Sequence, residues 1–168
     1  MTRLRFAGVL SLFLALAACG QEGSPDSEDQ WEPPLAFGSG TVHVATASDT
    51  VTLVVELADT PERRAFGLMD RPALGADQGM IFVYPEVQDS ANGFWMFRTL
   101  VPLDIAFVDS AGSVVAIRSM EPCKSRNPEF CPSYTPGARY QSALEVNRGF
   151  FTENGVQVGS RITLTPGT

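Results

Sequence analysis

The feature that most constrains the fold is a dense apolar stretch in the middle of the chain, residues 94–109, which Pro102 divides into an aromatic and an aliphatic half. The aliphatic half runs into Asp109-Ser110-Ala111-Gly112, a sequence typical of a turn. The stretch is too polar and too broken to cross a membrane, so it predicts two strands buried in a soluble core. Arg98, Thr99 and Asp104 interrupt it, and because a buried charge needs a partner, the stretch is also a candidate site.

The sequence on either side predicts further short strands separated by turn-forming residues. These strands are expected at residues 41–46, 51–57, 79–84, 113–120, 140–146 and 160–165. Asp59-Thr60-Pro61-Glu62 predicts the start of a short helix that Gly67 ends, and a second helical turn is expected near residues 149–154. The sequence therefore predicts a mainly β, single compact domain over residues 41–168, either a sandwich or barrel-like, with one or two short helices.

The N-terminus predicts export. Arg3 and Arg5 precede an apolar run, residues 6–18, which as a helix would be about 20 Å long, against the ~30 Å of a bilayer core. A basic flank, a short apolar run and a small-residue end are typical of a secretory signal peptide, so residues 1–18 are expected to be cleaved off.

The signal ends in Leu16-Ala17-Ala18-Cys19, which resembles the lipobox of bacterial lipoproteins. The resemblance implies acylation of Cys19, and two or more acyl chains make a stable membrane anchor. Gly20 follows where Asp would be the usual inner-membrane retention signal, which implies the outer membrane, with the domain facing the periplasm. The alternative is an ordinary signal peptide followed by a chance cysteine.

Residues 19–40 are expected to form a flexible acidic tether, because Gly, Ser, Pro and acids bury too little apolar surface to offset the entropy of ordering. Trp31 and Phe37 are the exceptions, and either they dock on the domain or they lie loosely on its surface. The formal charge of −7 argues against a nucleic-acid partner, which requires a basic surface.

Histidine-based chemistry is not expected. The single histidine, His43, lies in an alternating strand, so a histidine metal site or a Ser-His-Asp triad lacks its parts. The sequence also lacks a glycine-rich phosphate loop and a nucleophile elbow. We therefore expect neither a metal nor a cofactor.

Cys123 and Cys131 lie in a loop of a chain expected to leave the cytosol, where an oxidising compartment favours a disulfide. In the chain-entropy model such a bridge would stabilise the fold by about 2.6 kcal/mol. The alternative is a thiolate metal site, but two sulfurs without a histidine are a poor ligand set.

Two arginines, Arg64 and Arg71, lie two helical turns apart. They form either a solvated, salt-bridged face or a pair of guanidinium groups directed at an anion. Two carboxylates, Asp104 and Glu145, lie inside apolar strands. Such a pair can perform acid–base catalysis, or each carboxylate can be the buried ion-pair partner of Arg98, Arg64 or Arg71, which is the interpretation we favour.

Several motifs together resemble a bacterial family catalogued as domain of unknown function 192. They are Arg64-x-x-Gly67-Leu68-Met69-x-Arg71, Gly79-Met80-Ile81-Phe82, Phe94-Trp95-Met96, Thr99-Leu100-Val101-Pro102-Leu103-Asp104-Ile105 and Ala143-Leu144-Glu145-Val146. The resemblance covers about residues 51–165 and implies a compact all-β domain, often exported or lipid-anchored, with no established activity or cofactor. The chain departs from the family at Phe97, which precedes Arg98 where the family has a basic residue and then Asn, and at Ser160, where the family commonly has Asp.

Two functions from different classes remain open. The first is a non-catalytic envelope module that binds a small anionic or glycan ligand, or an envelope protein, through a groove edged by Trp95, Arg98 and Asp104, with Arg64 and Arg71 as further binding candidates. The second is a hydrolase that uses Asp104 and Glu145. The spacing of the two carboxyl groups distinguishes the two functions, because acid–base hydrolysis requires them about 5–10 Å apart in an open cleft.

Overall fold

A seven-stranded mixed sheet dominates the computed structural model, which describes residues 32–167. The strands are β1 (Gly38–Ala45), β2 (Thr50–Ala58), β3 (Gln78–Gln88), β4 (Phe94–Trp95), β5 (Leu103–Val108), β6 (Val114–Met120), β7 (Ser133–Tyr134), β8 (Tyr140–Asn147) and β9 (Arg161–Pro166). Two short helices, α1 (Pro61–Phe66) and α2 (Phe150–Glu153), and a 3₁₀ turn (Pro128–Phe130) complete the described elements. The predicted mainly β fold is confirmed.

The order of strands in the large sheet is β6-β5-β8-β3-β2-β1-β9. All neighbours are antiparallel except β2 and β3, which are parallel and are joined by a crossover that contains α1. The two edge strands approach each other, because the N–H of Val114 donates to the carbonyl of Ser160 at 2.9 Å and the N–H of Ile162 donates to that of Gly112 at 2.8 Å. The sheet therefore closes on itself, which selects the barrel-like form of the predicted fold.

The barrel interior holds one apolar cluster. It contains Val42, Val44, Leu53, Val55, Leu57, Ile81, Ala106, Val108, Val114, Leu144, Val146, Phe150, Phe151, Val156 and Ile162. Helix α2 contributes two of these residues, Phe150 and Phe151. Fifteen buried apolar side chains drawn from nearly every strand are the main source of stability of a domain of this size.

A second cluster covers the outer face of β3, β5, β6 and β8. It contains Ala58, Leu68, Met80, Phe82, Phe94, Met96, Leu103, Ile105, Phe107, Ala116, Met120, Tyr140 and Ala143. Because both faces of the central strands are covered, every residue of β5 is buried. This explains why the sequence of β5 is continuously apolar rather than alternating.

The local predictions hold where turn and cap residues are explicit. β1 and β2 form the predicted hairpin, and β5 and β6 pair across the turn at residues 109–112. Helix α1 begins after Thr60, whose hydroxyl accepts from the N–H of Arg63, and ends at Gly67.

Three features of the strands differ from the prediction. The first half of the central stretch forms only the two-residue strand β4, because the chain turns at Arg98, whose φ is +57°. The short strand β7, which pairs with β4, was not predicted. Strand β1 begins at Gly38, inside the predicted tether, and Phe37 docks on the outer cluster with its ring 6.5 Å from that of Phe66. The predictions for residues 1–31, Trp31 and Cys19 among them, lie outside the described residues.

The predicted disulfide is present in the structure between Cys123 and Cys131, whose Cα atoms are 5.5 Å apart. Its loop lies beside β4, since the N–H of Cys123 donates to the carbonyl of Met96 at 3.1 Å. The bridge therefore closes a loop that is hydrogen-bonded to the segment just after β4, on the outer face of the sheet.

Candidate functional site

Asp104 links the N-terminus of α2 to the sheet through hydrogen bonds. One carboxylate oxygen, Oδ1, accepts from the hydroxyl of Ser119 on β6 at 2.6 Å, and Oδ2 accepts from the N–H of Gly149 at 2.8 Å. Gly149 is the residue that precedes α2, and its φ of +90° is easily adopted only by glycine. The prediction that Asp104 pairs with Arg64, Arg71 or Arg98 is wrong. A hydroxyl and a backbone N–H satisfy its carboxylate instead.

Asp104 and Glu145 lie on opposite faces of the sheet. Asp104 is in register with Val146 on β8, and Glu145 is in register with Ile105 on β5 and with Met80 on β3. Because successive side chains alternate between faces, Asp104 points to the barrel interior and Glu145 to the outer layer. The alternative in which the two carboxylates flank one reacting bond does not agree with this geometry.

Glu145 has an unusual environment for a carboxyl group. Only 4% of the residue is exposed, and it forms no hydrogen bond or ion pair with any residue of the described part of the chain. Burial raises the pKa of this carboxyl to about 8. The predicted arginine partner is absent within residues 32–167. Because a buried polar group without a partner is costly, this residue marks the candidate site.

Glu145 lies in a narrow cavity, which we call the Glu145 crevice. Its lining comes from α1 and the turn after it, from the outer face of the sheet and from the segment around β4: Arg64, Ala65, Phe66, Gly67, Leu68, Met69, Phe82, Phe94, Trp95, Thr99 and Glu145. The free volume of about 20 Å³ is sufficient for one group the size of a water molecule.

The backbone conformation at Gly67 brings the turn after α1 close to the outer face of the sheet, where this turn forms one wall of the crevice. Gly67 has a φ of +54°, and a Cβ at this position would lie 3.2 Å from the ring of Phe82. Any other residue would be strained here. The glycine thus directs Leu68 and Met69, both buried, onto the crevice.

An ion pair joins the two walls of the crevice, the turn after α1, which leads to Asp70, and the segment after β4, which contains Arg98. Asp70 and Arg98 are the only non-glycine residues of the described chain with positive φ, +59° and +57°. The guanidinium of Arg98 donates to both carboxylate oxygens of Asp70, and the N–H of Asp70 donates to the carbonyl of Arg98 at 2.8 Å. A left-handed conformation costs a non-glycine residue roughly 1–2 kcal/mol, and such strain is often found at functional sites.

The other predicted binding residues have different positions. Trp95 lines the crevice and is 45% exposed. Arg64 also lines it, but its Nη1 donates to the carbonyls of Asp59 and Val83, at 2.7 and 2.9 Å, and its guanidinium lies 4.9 Å from the centre of the Tyr84 ring.

Arg71 lies outside the crevice. It forms an ion pair with Glu56, and its guanidinium is 5.7 Å from the centre of the Phe37 ring. The predicted groove edged by Trp95, Arg98 and Asp104 is not found in this arrangement. Trp95 lines the crevice, and Arg98 joins its two walls through the ion pair with Asp70. Asp104 lies on the opposite face of the sheet.

Sequence reasoning missed the apolar part of the site. Phe82 and Phe94 were assigned to strands or to the core, without a role in a crevice, whereas Thr99 was identified as one of the polar residues of the central stretch. Thr99 is 6% exposed, and its hydroxyl forms no hydrogen bond within residues 32–167. The glycine directly after a six-residue helix was the one local signal that the chain turns sharply there.

A larger cavity, about 250 Å³, opens at one end of the barrel. The one carboxyl group in its lining, that of Asp109, already has partners, because its Oδ1 accepts from the N–H groups of Ala111 and Ser113 at 2.9 and 2.8 Å. It contains no buried carboxyl group that lacks a partner, so the smaller Glu145 crevice is the stronger candidate.

Two features, a cluster of metal ligands and a membrane-spanning helix, are absent from residues 32–167. No group of three or more His, Cys, Asp or Glu side chains in residues 32–167 is arranged to hold a metal ion. In the same part of the chain, no helix has both the length and the apolar character needed to span a bilayer.

Comparison with known proteins agrees with the motif resemblance. Residues 42–164 match the model of a family, DUF192, described as "Uncharacterized ACR". The fold is similar to the crystal structure of a proposed transcription regulator from Sinorhizobium meliloti 1021, with a TM-score of 0.70, 30% identity, and coverage of 79% of this chain and 98% of that chain. It is also similar to a protein of unknown function from Novosphingobium aromaticivorans DSM 12444, with a TM-score of 0.65, 29% identity, and coverage of 79% and 89%. A search of curated proteins finds no match.

Proposed function

The chain belongs to the DUF192 family, and from that premise we propose that it is a lipid-anchored envelope protein whose domain binds a small ligand in the Glu145 crevice without catalysis. The observation that carries the proposal is the isolation of Glu145, a carboxyl group 4% exposed with no partner in residues 32–167. Burial disfavours the charged form of this carboxyl group, and a ligand that carries a positive charge or donates hydrogen bonds would stabilise that form.

The construction of the crevice supports binding at this point. Its walls are joined by the Asp70–Arg98 ion pair, and the wall that carries Trp95 is held by the disulfide loop. A site preorganised in this way loses little conformational freedom when a ligand enters. Trp95, half exposed at the opening, offers a surface on which the remainder of a ligand can pack.

Non-catalytic binding accounts better for these residues than hydrolysis. The hydrolase alternative required Asp104 and Glu145 to act together, and the two residues lie on opposite faces of the sheet. Asp104 is also fully engaged by Ser119 and Gly149. Within residues 32–167, Glu145 is the one carboxyl group that lines the crevice.

The envelope location rests on the N-terminal sequence. The basic and apolar start, the tetrapeptide that ends in Cys19 and the acidic segment that follows support export, acylation and a tether. The formal charge of −7 favours a partner other than nucleic acid, which requires a basic surface. We place the anchor in the outer membrane, with the domain in the periplasm, because Gly20 follows the cysteine.

A thermal-shift screen tests the binding proposal. The full chain, purified in detergent, is screened against envelope sugars, small anions and small amines, in parallel with Glu145→Met and the control Glu86→Gln, which changes an exposed residue of the same sheet. At least one compound should raise the melting temperature of the wild type and of Glu86→Gln but not of Glu145→Met. If every stabilising compound acts equally on all three proteins, the crevice is not the binding site.

A further inference from the structure

The Glu145 crevice selects its occupant by size. Its free volume of about 20 Å³ matches one water-sized group. A sugar ring or a phosphate group is too large to reach Glu145 without displacing the walls, and those walls are fixed by the Asp70–Arg98 pair. Only the end of a ligand can therefore contact the carboxyl group.

The lining favours a positive charge on that end. Phe82, Phe94 and Trp95 line the crevice, and the electron-rich faces of aromatic rings attract cations. Two polar side chains of the lining that have no hydrogen-bond partner within residues 32–167, the carboxyl of Glu145 and the hydroxyl of Thr99, supply acceptor oxygens. A small hydrogen-bond donor with a positive charge satisfies all of these groups.

Arg64 does not oppose a cation at Glu145. Its guanidinium is directed to the carbonyls of Asp59 and Val83 and to the Tyr84 ring. Burial raises the pKa of Glu145. Because these contacts hold the guanidinium of Arg64, it forms no ion pair with Glu145 within residues 32–167.

We propose that the Glu145 crevice binds a primary alkylammonium group, with the carboxylate of Glu145 as its counter-ion and the hydroxyl of Thr99 as a hydrogen-bond acceptor. The inference rests on the proposed function, because it names the ligand class of that same site. An –NH₃⁺ group is close to a water molecule in size and carries three donors, and its alkyl chain leaves the crevice past Trp95. A quaternary ammonium is too bulky for this volume and has no N–H to donate.

Binding is coupled to the ionisation of Glu145. At neutral pH the carboxyl carries a proton, and this proton passes to the solvent when the ammonium enters. Two other titratable side chains of residues 32–167 face the carboxyl, Arg64 from α1 and Tyr84 from β3; β5 presents the apolar Ile105 and the segment around β4 presents Thr99. Burial raises the pKa of Tyr84 above its usual value, so this tyrosine stays neutral between pH 6 and 9.

The test follows the amide signals of Gly67 and Thr99 and the indole signal of Trp95 in the full chain, in detergent, by NMR. The probe is n-butylammonium, compared with Nα-acetyl-lysine methylamide, n-butanol and tetramethylammonium. The apparent affinity for n-butylammonium should rise about 90-fold from pH 6 to pH 9, following the ionised fraction of a carboxyl with a pKa of about 8. The amine itself stays protonated over this range, as lysine does.

Glu145→Gln should lose this pH dependence and most of the affinity, and Glu86→Gln should behave as wild type. If the lysine derivative binds as tightly as n-butylammonium, the source of the group is a lysine side chain; if only n-butylammonium binds, the source is a free amine. Equal binding of n-butanol or tetramethylammonium, or no dependence on pH, would overturn the inference. Sugars or anions that shift the crevice signals when amines do not would overturn it and leave the proposed function standing, whereas silence from all classes would overturn both.

Discussion

Replacement of Glu145 by glutamine should change how the stability of the protein depends on pH. Burial raises the pKa of Glu145 from 4.5 to about 8. Between these two values the unfolded chain has released the proton and the folded chain still holds it. Because the folded state binds more protons, the free energy of unfolding falls as pH rises through this window.

The size of the effect follows from the two pKa values. The full difference, 8 − 4.5 = 3.5, corresponds to about 5 kcal/mol at 1.36 kcal/mol per unit, and about 3 kcal/mol of it is lost by pH 7. Glutamine has a similar shape and does not titrate. The difference in stability between Glu145→Gln and wild type should therefore shift by about 3 kcal/mol in favour of the variant between pH 4 and pH 7, whatever its value at pH 4.

Urea unfolding of the full chain at half-unit intervals from pH 4 to pH 9 measures this directly. Other carboxyl groups titrate in both proteins and cancel in the difference. Glu86→Gln, at an exposed position, is the matched control and should show a difference that stays flat. A flat difference for Glu145→Gln as well, or one that favours wild type as pH rises, would refute the reasoning and imply that a partner stabilises the carboxylate.

Three further outcomes are expected. Asp104→Asn should lower the free energy of unfolding by about 1–3 kcal/mol, measured by urea unfolding, because an amide cannot accept from both Ser119 and Gly149; an unchanged midpoint would contradict this. Thiol alkylation before reduction should add no label at Cys123 or Cys131, by mass spectrometry, and reduction should lower the melting temperature without abolishing the fold; two labels on fresh protein would contradict the bridge. Cys19→Ser should abolish incorporation of labelled fatty acid and release the chain from membranes, and label in the variant would refute the anchor.

Much of the fold could be predicted because its signals are local. Thr60, Pro61 and Gly67 define α1, and the turn at residues 109–112 joins two apolar strands. The first half of the central stretch was mispredicted because Phe94-Trp95-Met96-Phe97 has the composition of a strand. The ion pair with Asp70, 28 residues away, holds Arg98 in a left-handed turn that nothing in the neighbouring sequence signals.

The candidate site could be predicted only in part. Glu145 was identified from a carboxylate within apolar residues, which is a local observation. Whether it meets Asp104 depends on the register of β5 against β8, where a shift of one residue would place both side chains on the same face. The partners of Asp104, a hydroxyl and a backbone N–H, could not be distinguished from an arginine by composition alone.

The central claim is that Glu145 is a buried carboxyl group without a partner in the protein, available to a ligand. A ¹³C NMR titration of its side-chain carboxyl carbon in the ligand-free full chain tests this most directly. The account predicts a midpoint near pH 8 for Glu145, well above the ordinary value of a glutamate side chain in a peptide, about 4.3. A midpoint for Glu145 at or below that ordinary value would contradict the account.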